Sequence, residues 1–278
     1  MKIAWITDSA SCIDLSYAKE NNIHVVPLNV IFDGNSYKDM IEMDEHEFYR
    51  LIAQGKTPTT SQPAVGDFVQ VYTQLKSEGY EAAIAIHISS KLSGTLNASQ
   101  IAAEMVDFPV HIIDSGIVAK PMLFALEEGL RLYRAEKHID EIVAGIKTTL
   151  ERVIAYFMIN DLSFLHRGGR LSATSAIIGN LLQIKPILML RQQKLEIFEK
   201  VRTTRRAKEF IYHLLEKDVA EKGVKEINVV HADYFAEAEN WAAQLREKFH
   251  DIHIAISSLG TVVGVHSGPR AIGLTWRF

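Results

Sequence analysis

The chain has 278 residues, of which 47% are hydrophobic, and it carries a formal net charge of −4 at pH 7. This length and apolar content suffice for one large or two ordinary folded domains and exclude a mainly disordered chain. The acidic balance argues against a broad surface for nucleic-acid phosphates. A single cysteine, Cys12, excludes an intramolecular disulfide and a Cys-x-x-Cys zinc site.

The first residues predict where the protein resides. The segment Met1–Asp8 is apolar for only four consecutive residues, fewer than the apolar core of a signal peptide requires. No run in the chain approaches the roughly 18 apolar residues of a membrane span. We therefore expect a cytoplasmic protein.

Short apolar runs bounded by turn residues predict strands, and longer amphipathic runs predict helices. The predicted strands are, in chain order, Ile3–Thr7, His24–Phe32, Ala82–Ile88, Val110–Ile113, Val153–Ile159, Pro186–Leu190, Glu226–His231, Ile252–Ser257 and Ile272–Trp276. The predicted helices are Glu45–Gln54, Val65–Ser77, Thr95–Val106, Pro121–Arg134, Ile139–Glu151, Thr204–Lys222 and Phe235–Phe249. The pair Asp33-Gly34 favours a tight turn and predicts a hairpin between Val25–Phe32 and Ser36–Met40.

The alternation of strands and helices predicts an α/β fold with two domains, in which parallel or mixed sheets are flanked by helices. No low-complexity linker marks the boundary between the domains. We place it near Leu150, before the apolar strand that begins at Val153. The predicted domains are residues 1–150 and 151–278, with elements free to cross from one to the other.

Three loops rich in small and hydroxyl residues are candidates for holding an anion. They are Thr60-Ser61-Gln62-Pro63, Ser89-Ser90-Lys91-Leu92-Ser93-Gly94-Thr95 and Gly264-Val265-His266-Ser267-Gly268-Pro269. Backbone donors and hydroxyls beside buried strands commonly bind anions, so convergence of the three loops would form a pocket for one negative group. The alternative for the first two loops is ordinary helix capping, with Ser93 or Thr95 as an N-cap.

The third loop adds a histidine whose charge responds near neutral pH. Glycines and a proline predict a turn around His266, which fits either an anion ligand or a structural histidine. Asp8 and Asp114 end predicted parallel strands, where α/β sites form, although turn formation and capping explain them equally well.

Positive charge concentrates in residues 166–208, which carry a net charge of +8. This excess indicates an anionic partner or a phosphorylated ligand, or alternatively a solvated face neutralised by acids elsewhere. Within it, Arg167-Gly168-Gly169-Arg170 predicts a turn that presents Arg170 to an anion.

Several motifs of known chemistry are missing from the sequence. There is no Gly-x-x-x-x-Gly-Lys-Ser/Thr phosphate loop, no Gly-x-Gly-x-x-Gly and no Gly-x-Ser-x-Gly nucleophile elbow. A serine hydrolase or acyltransferase with Ser93 as nucleophile, His266 as base and Asp114 as its orienting group remains an alternative.

The ordered series of motifs resembles the DegV family over nearly the whole chain. The motifs that carry the resemblance are Asp8-Ser9, Thr60-Ser61-Gln62-Pro63, Ser89–Thr95, Asp114-Ser115, Gly168-Gly169-Arg170-Leu171-Ser172, Ile184-Lys185-Pro186-Ile187-Leu188, Lys200-Val201-Arg202-Thr203 and Gly264-x-His266-x-Gly268-Pro269. One departure stands out, since the family usually has glycine where this chain has Arg270.

The resemblance implies a two-domain α/β protein that binds one long-chain fatty acid and presents it to a separate fatty acid kinase. The kinase would form an acyl phosphate that feeds phospholipid synthesis. The implied carboxylate ligands are Thr60, Ser61, Ser93, Gly94, His266 and Ser267, and the residues facing the kinase or the new phosphate are Arg170 and Arg202. It implies no catalytic residue, cofactor, metal or nucleic-acid partner, allows transient membrane contact, and leaves the oligomeric state open.

Such a ligand would owe most of its affinity to its chain. At roughly 0.8 kcal/mol per buried CH₂, about fifteen methylenes contribute on the order of 12 kcal/mol before association costs. An apolar tunnel is expected along Pro121–Ala125, Phe157–Ile159 and Ile177–Leu182, although each of these segments is equally compatible with an ordinary core.

Overall fold

A computed structural model describes residues 1–171, 184–191 and 193–278. The chain divides into two compact units, which we call the N-terminal unit, Met1–Glu151, and the C-terminal unit, Arg152–Phe278. Two segments with predicted roles, Ser172 and Ile177–Leu182, lie outside the described residues.

The N-terminal unit alternates strands and helices through most of its length. Its elements are β1 Ile3–Asp8, a 3₁₀ turn Ser9–Ser11, α1 Leu15–Glu20, β2 Ile23–Val26, β3 Asn29–Phe32, β4 Asn35–Lys38, α2 Glu45–Ala53, β5 Thr59–Ser61, α3 Val65–Ser77, β6 Ala82–His87, α4 Thr95–Val106, β7 Val110–Asp114, α5 Lys120–Arg134 and α6 Ile139–Glu151.

A parallel sheet of order β2-β1-β6-β7 forms the centre of this unit. Its strands β1 and β6 are buried along their whole length, which explains why they are nearly continuous apolar runs. One face packs on α5 and α6 through a cluster that includes Trp5 and Leu126. The other packs on α3 and α4 through a cluster that includes Ile6 and Phe68.

The small antiparallel sheet β4-β3-β5 contains the predicted hairpin. Asp33 and Gly34 both have positive φ, 51° and 81°, as a type I′ turn requires. The predicted strand His24–Phe32 is interrupted, since β2 ends at Val26 and β3 begins at Asn29. Pro27 lies in this gap and has no N–H with which to continue a ladder.

The C-terminal unit contains one large mixed sheet. Its elements are β8 Val153–Met158, α7 Ser163–Gly168, β9 Lys185–Arg191, β10 Lys194–Val201, α8 Thr204–Lys222, β11 Glu226–His231, α9 Phe235–Lys248, β12 His253–Ser258, α10 Gly260–Ser267 and β13 Ile272–Arg277. The strand order is β10-β9-β8-β13-β11-β12, in which β11 and β12 are parallel and the other neighbours are antiparallel.

The core of this unit lies between one face of the sheet and the helices α8 and α9. Trp276 and Leu274 pack there with Ile211 of α8 and Trp241 of α9. Trp276 Nε1 donates to the buried Asp218 at 2.9 Å. The two units confirm the predicted fold class, parallel and mixed sheets flanked by helices.

The described parts of the chain contain neither a membrane-spanning helix nor a cluster of metal ligands. No described helix is both long enough and apolar enough to cross a membrane. Within the same residues, no group of three or more His, Cys, Asp and Glu side chains is arranged to hold a metal ion.

Candidate functional site

The loop after β6 places Ser93 and Gly94 at the entrance to α4. The helix begins at Thr95 with Gly94 as its N-cap, so neither Ser93 nor Thr95 is the N-cap that the capping alternative required. Ser93 Oγ instead lies 2.8 Å from Thr95 Oγ1 and 3.4 Å from the Thr95 amide nitrogen. Ser93 and Gly94 are both half-buried, and the N-terminal dipole of α4 favours negative charge at this point.

The Thr60-Ser61 segment is a strand and not the helix lead-in expected from the sequence. Thr60 pairs with Val30 of β3, and the following helix α3 has Ala64 as its N-cap. Ser61 Oγ accepts a hydrogen bond from Asn29 Nδ2 at 3.2 Å. The alternation of side chains in a short edge strand therefore sets the direction of these hydroxyls.

Gln62 joins these two loops within the N-terminal unit. A Cβ added to Gly94 would lie 1.9 Å from Gln62 Oε1, so the Gln62 side chain lies directly on the Gly94 backbone. Only a residue without a side chain permits this approach. The structure thus brings the segment containing Thr60 and Ser61, two of the candidate ligands, close to the one containing Ser93.

A buried polar network supports this region, and sequence reasoning missed most of it. Asp8 Oδ2 lies 3.1 Å from His87 Nδ1 and accepts from the Ile88 amide at 2.8 Å. His87 Nε2 lies 2.9 Å from Ser99 Oγ, which lies 2.5 Å from Tyr72 Oη. Burial raises the pKa of Tyr72 to about 12, so its hydroxyl stays protonated at physiological pH.

This network has the Asp-His-Ser order of a hydrolase triad, but it is sealed from solvent. Asp8, His87 and Ser99 are all 0% exposed, so no substrate reaches the hydroxyl. Its position explains its role: Asp8 ends β1, His87 ends β6, and Ser99 lies one turn into α4. The network fixes the strand ends from which the Ser93 loop departs.

Asp114, the orienting group of the hydrolase alternative, is engaged by backbone amides of its own unit. Its Oδ1 accepts from the Gly116 amide at 2.9 Å, and both oxygens lie 3.3 Å from the Ser90 amide nitrogen. Asp114 therefore stabilises a turn, as the structural interpretation of this residue predicted.

In the C-terminal unit, His266 lies in the last turn of α10 and not in the predicted turn. The helix runs from Gly260 to Ser267 and ends before Gly268, which has φ +69°. Two glycines and several β-branched residues give this segment a low helix propensity, which is why the sequence suggested a turn. Gly268 and Pro269 follow directly after the helix and end it.

The imidazole of His266 packs on the backbone of α7. A Cβ added to Gly168 would lie 2.1 Å from His266 Nδ1, and Arg170 Nη1 donates to the Gly168 carbonyl at 2.5 Å. Burial, and secondly the charge of Arg170, lower the pKa of His266 to about 4. The ring is therefore neutral at physiological pH, with one N–H donor and one acceptor.

The residues after His266 are held tightly. Ser267 is buried, and its Oγ donates to the Gly268 carbonyl at 3.2 Å. A Cβ on Gly268 would lie 2.6 Å from the Phe164 ring of α7. Arg270 has φ +64°, and its guanidinium lies 5.1 Å from the centre of the Tyr234 ring. The left-handed backbone accounts for the glycine that the family usually has at this position.

Arg170 and Arg202, the predicted phosphate or partner contacts, differ in environment. Arg170 is partly buried, and burial lowers the pKa of its guanidinium. Arg202 is exposed between β10 and α8, next to Thr203, which caps α8 by accepting from the Arg206 amide at 3.2 Å. The structure brings Arg170 to His266, and it places Arg202 in the turn between β10 and α8 of the same unit.

Comparison with known proteins shows which family the chain belongs to. The profile of the DegV family, described as a family of uncharacterised proteins, matches residues 2–278. The chain belongs to the DegV family. It is 37% identical over 277 residues to a DegV domain-containing protein of Listeria monocytogenes, covering 99% of this chain and 98% of that protein. It is 36% identical over 281 residues to Protein DegV of Bacillus subtilis, covering both chains fully.

Solved DegV structures share the fold throughout. The crystal structure of DegV from Bacillus subtilis, a fatty acid binding protein, has a TM-score of 0.93 at 36% identity and covers 100% of this chain and 99% of that one. A structure on fatty acid binding by a DegV family protein from Thermus thermophilus has a TM-score of 0.88 at 27% identity, with coverage of 100% and 99%. The predicted family is confirmed.

Proposed function

We propose that this protein binds one long-chain fatty acid and presents its carboxylate to a partner fatty acid kinase. The observation that carries the proposal is the likeness over the whole chain to a fatty acid binding DegV protein, at 36% identity and a TM-score of 0.93. The proposed carboxylate ligands are Thr60, Ser61, Ser93, Gly94, His266 and Ser267. The ligand is cargo, and the protein acts in the cytoplasm without a cofactor.

The charge state of the candidate ligands supports a carrier role. Hydroxyl and backbone N–H donors hold a carboxylate by hydrogen bonds without cancelling its charge. His266 belongs with these neutral donors, because its lowered pKa of about 4 leaves the imidazole uncharged at physiological pH. A carboxylate held this way keeps the electron density it needs to accept a phosphoryl group.

Two arginines, Arg170 and Arg202, support the second part of the proposal, the presentation of the carboxylate to a kinase. Arg202 is exposed and sits in a segment rich in positive charge, which favours an acidic partner surface or a transferred phosphate. Arg170, beside His266, is positioned to interact with the charge that develops on phosphorylation.

Mass spectrometry of an organic extract of the natively purified protein tests ligand binding first. We expect one fatty acid per chain, and its mass names the preferred length and unsaturation. Absence of lipid, together with failure of the folded protein to take up added fatty acid, would overturn the proposal. Labelling of Ser93 by a fluorophosphonate would favour the hydrolase alternative instead.

Paired substitutions test the carboxylate ligands. We expect Ser93→Ala combined with His266→Ala to lower fatty-acid occupancy, because two neutral donors are removed. Ser90→Ala is the matched control, since this serine is exposed in the same loop. Unchanged occupancy in the double variant would mean that the carboxylate binds elsewhere.

Arginine substitutions separate binding from presentation. We expect Arg170→Ala and Arg202→Ala to retain lipid but to weaken phosphorylation by the kinase. Arg167→Ala is the control from the same segment, because its guanidinium stacks 4.7 Å from the Phe164 ring centre. Loss of lipid in parallel with phosphorylation would contradict the assigned roles.

A further inference from the structure

The connection from β10 to α8 carries an exposed cluster of positive charge, which we call the basic surface. It consists of Lys200, Arg202, Arg205 and Arg206, and every residue from 202 to 206 is exposed. Two acidic residues adjoin it in the sequence, Glu199 and Glu209. The basic surface therefore holds an excess of positive charge, although the chain as a whole is acidic.

Ion pairs within the protein neutralise little of this charge. Among the residues that the structure describes, no carboxylate oxygen lies within 4.0 Å of a side-chain nitrogen of Lys200, Arg202 or Arg206. Arg205 Nε lies 3.6 Å from Glu209 Oε1, and both side chains are exposed. An exposed pair contributes little, and the order with the cation N-terminal to the anion is the less favourable one.

Two of the cations occupy positions that the helix itself disfavours. Arg205 and Arg206 lie in the first turn of α8, which contains no acidic residue. The N-terminal end of a helix carries partial positive charge, so cations there are destabilising. Thr203 accepts from the Arg206 amide at 3.2 Å as in a capping box, but Arg206 stands where glutamate or glutamine would complete the box.

Charges that oppose the stability of their own helix indicate a function outside the fold. Arginine suits the recognition of an acidic protein surface, because its planar guanidinium binds carboxylates through paired hydrogen bonds. An excess of exposed positive charge also raises the rate at which such a partner associates. The basic surface thus has the chemistry of a docking site for an acidic protein.

The apolar side chain beside the basic surface favours a protein partner over a lipid bilayer. Membrane binding requires apolar side chains that insert, in addition to positive charge. Phe198 of β10 is 39% exposed, and its ring packs against Tyr156 and Phe210 with centroid distances of 5.0 and 6.1 Å. It is therefore engaged within its own unit, and the recognition left to this surface is electrostatic.

We propose that the basic surface docks an acidic face of the partner fatty acid kinase, with Arg205 and Arg206 as contacts additional to Arg202. The inference rests on the proposed function and deepens it by naming the element to which the kinase binds. Arg205 and Arg206 belong to α8, whereas the proposed carboxylate ligands belong to other elements. Docking through α8 therefore sets the affinity for the kinase and leaves the reacting groups unchanged.

Phosphorylation kinetics test the docking surface. The fatty-acid-loaded protein is titrated as the substrate of the fatty acid kinase from the same organism. We expect Arg206→Glu and, independently, Arg205→Glu to raise KM by about threefold to tenfold and to leave kcat unchanged, because binding is weakened while the reacting groups are untouched. Added salt should raise the KM of the parent chain more than that of either variant.

Lys217→Glu is the matched control, because it makes the same change of charge at an exposed position of the same helix. Lys217 lies about 16 Å along the helix from Arg206, beyond the screening length of about 8 Å at physiological ionic strength. It should change KM by less than about twofold. An equal rise of KM in Lys217→Glu would mean that net charge matters and that no docking surface exists at the start of α8.

Stability measurements show whether the two arginines serve the fold instead. We expect Arg206→Glu to raise Tm by about 1–3 °C, because a carboxylate replaces a cation in the first turn of α8. A lower Tm in this variant would show that Arg206 stabilises the helix, and it would remove the argument for a function outside the fold.

The remaining outcomes separate the docking surface from the proposed function. Failure of the kinase to phosphorylate the loaded parent chain would contradict the proposed function itself. Phosphorylation of the parent chain with an unchanged KM in Arg205→Glu and Arg206→Glu would overturn the docking surface alone. If the same variants then bind phosphatidylglycerol vesicles more weakly than the parent chain, the basic surface contacts a membrane and not the kinase.

Discussion

The two units position their candidate ligand residues in different ways. In the N-terminal unit, the Ser93 loop leaves strand and helix ends that are joined by the fully buried hydrogen-bond network of Asp8, His87 and Ser99. In the C-terminal unit, His266 is positioned by close contact with the backbone of Gly168. The loop that carries Ser93 depends mainly on satisfied buried hydrogen bonds, whereas the position of His266 depends on the absence of a side chain at Gly168.

This difference has a thermodynamic consequence. A buried network is costly to break, because each lost partner leaves a desolvated polar group. A contact on glycine is sensitive to a single added methyl, which is a steric change. We therefore expect electrostatic substitutions to affect the N-terminal unit most and steric substitutions to affect the C-terminal unit most.

The largest effect is expected from Asp8→Ala. The carboxylate accepts from the Ala10 amide at 3.0 Å and the Ile88 amide at 2.8 Å, and it contacts His87. Its removal leaves three buried groups without their partner. We expect the free energy of unfolding to fall by about 3–5 kcal/mol, as measured by denaturant titration.

Asp14→Ala is the matched control for this substitution. Asp14 is also an aspartate that accepts from a backbone amide, that of Tyr17 at 2.9 Å, but it caps an exposed helix end. Its loss should cost about 1 kcal/mol. Equal costs for the two variants would mean that the buried network contributes no more than a surface cap.

Steric substitutions at two glycines compare the units directly. In Gly168→Ala the new Cβ would lie 2.1 Å from the imidazole of His266, which is partly buried. We expect the free energy of unfolding to fall by about 1–3 kcal/mol. In Gly94→Ala the clash is with the end of Gln62, an exposed and flexible side chain, so the loss should stay below about 1 kcal/mol.

The informative result is which of the two glycine variants loses more free energy of unfolding. Gly66→Ala in α3 is the control, because a Cβ at Gly66 meets nothing within 4 Å. It should not destabilise the protein, since alanine favours helix. A larger loss in Gly94→Ala than in Gly168→Ala would reverse the comparison between the units.

The pH dependence of stability provides a third test, specific to the C-terminal unit. His266 has a pKa of about 4 when folded, against about 6.5 in an unfolded chain, so the unfolded state binds more protons between these values. The contribution of the neutral imidazole is complete above about pH 6.5 and is lost as the pH falls to about 4.

Substitution isolates this contribution. We expect His266→Gln to reduce the acid-induced loss of unfolding free energy by roughly 1–3 kcal/mol, because glutamine does not titrate. Arg170→Met should raise the pKa of His266, observed by NMR titration of the ring, because a nearby positive charge is removed. An unchanged titration in Arg170→Met would show that burial alone lowers the pKa.

Local sequence signals explain which elements could be predicted. The helices Val65–Ser77 and Thr95–Val106 begin and end where the amphipathic pattern begins and ends. The strand Thr59–Ser61 escaped prediction because three polar residues carry no alternation, and it forms only by pairing with β3. The helix Gly260–Ser267 escaped because its packing on α7 outweighs its weak propensity.

The residues of the candidate site also divide into those that local sequence patterns predict and those that depend on long-range contacts. Glycine- and hydroxyl-rich loops mark Ser93 and His266 in the sequence, because such residues serve turns and close contacts. No local sequence pattern connects Asp8 with His87, which lies 79 residues away. In the sequence, His87 is indistinguishable from the ordinary end of a buried strand. A long-range network of this kind becomes visible only when the parallel strands are in register.

The smallest expected effect is at Arg270, where two contributions oppose each other. Its φ of +64° is strained for a residue with a side chain, and glycine relieves that strain. Glycine also removes the contact of the guanidinium with the Tyr234 ring, 5.1 Å away. We therefore expect Arg270→Gly to change the free energy of unfolding by less than about 1 kcal/mol.

A double-mutant cycle separates the two contributions. Tyr234→Leu removes the ring contact while the backbone of Arg270 stays unchanged, so Arg270→Gly in that background reports relief of strain alone. It should then be more stabilising than in the parent chain by about 0.5–1 kcal/mol, the strength of an exposed cation–π pair. Additive effects of the two substitutions would mean that the stacked guanidinium contributes nothing. The arginine would then be tolerated at a glycine position only because the backbone strain is small.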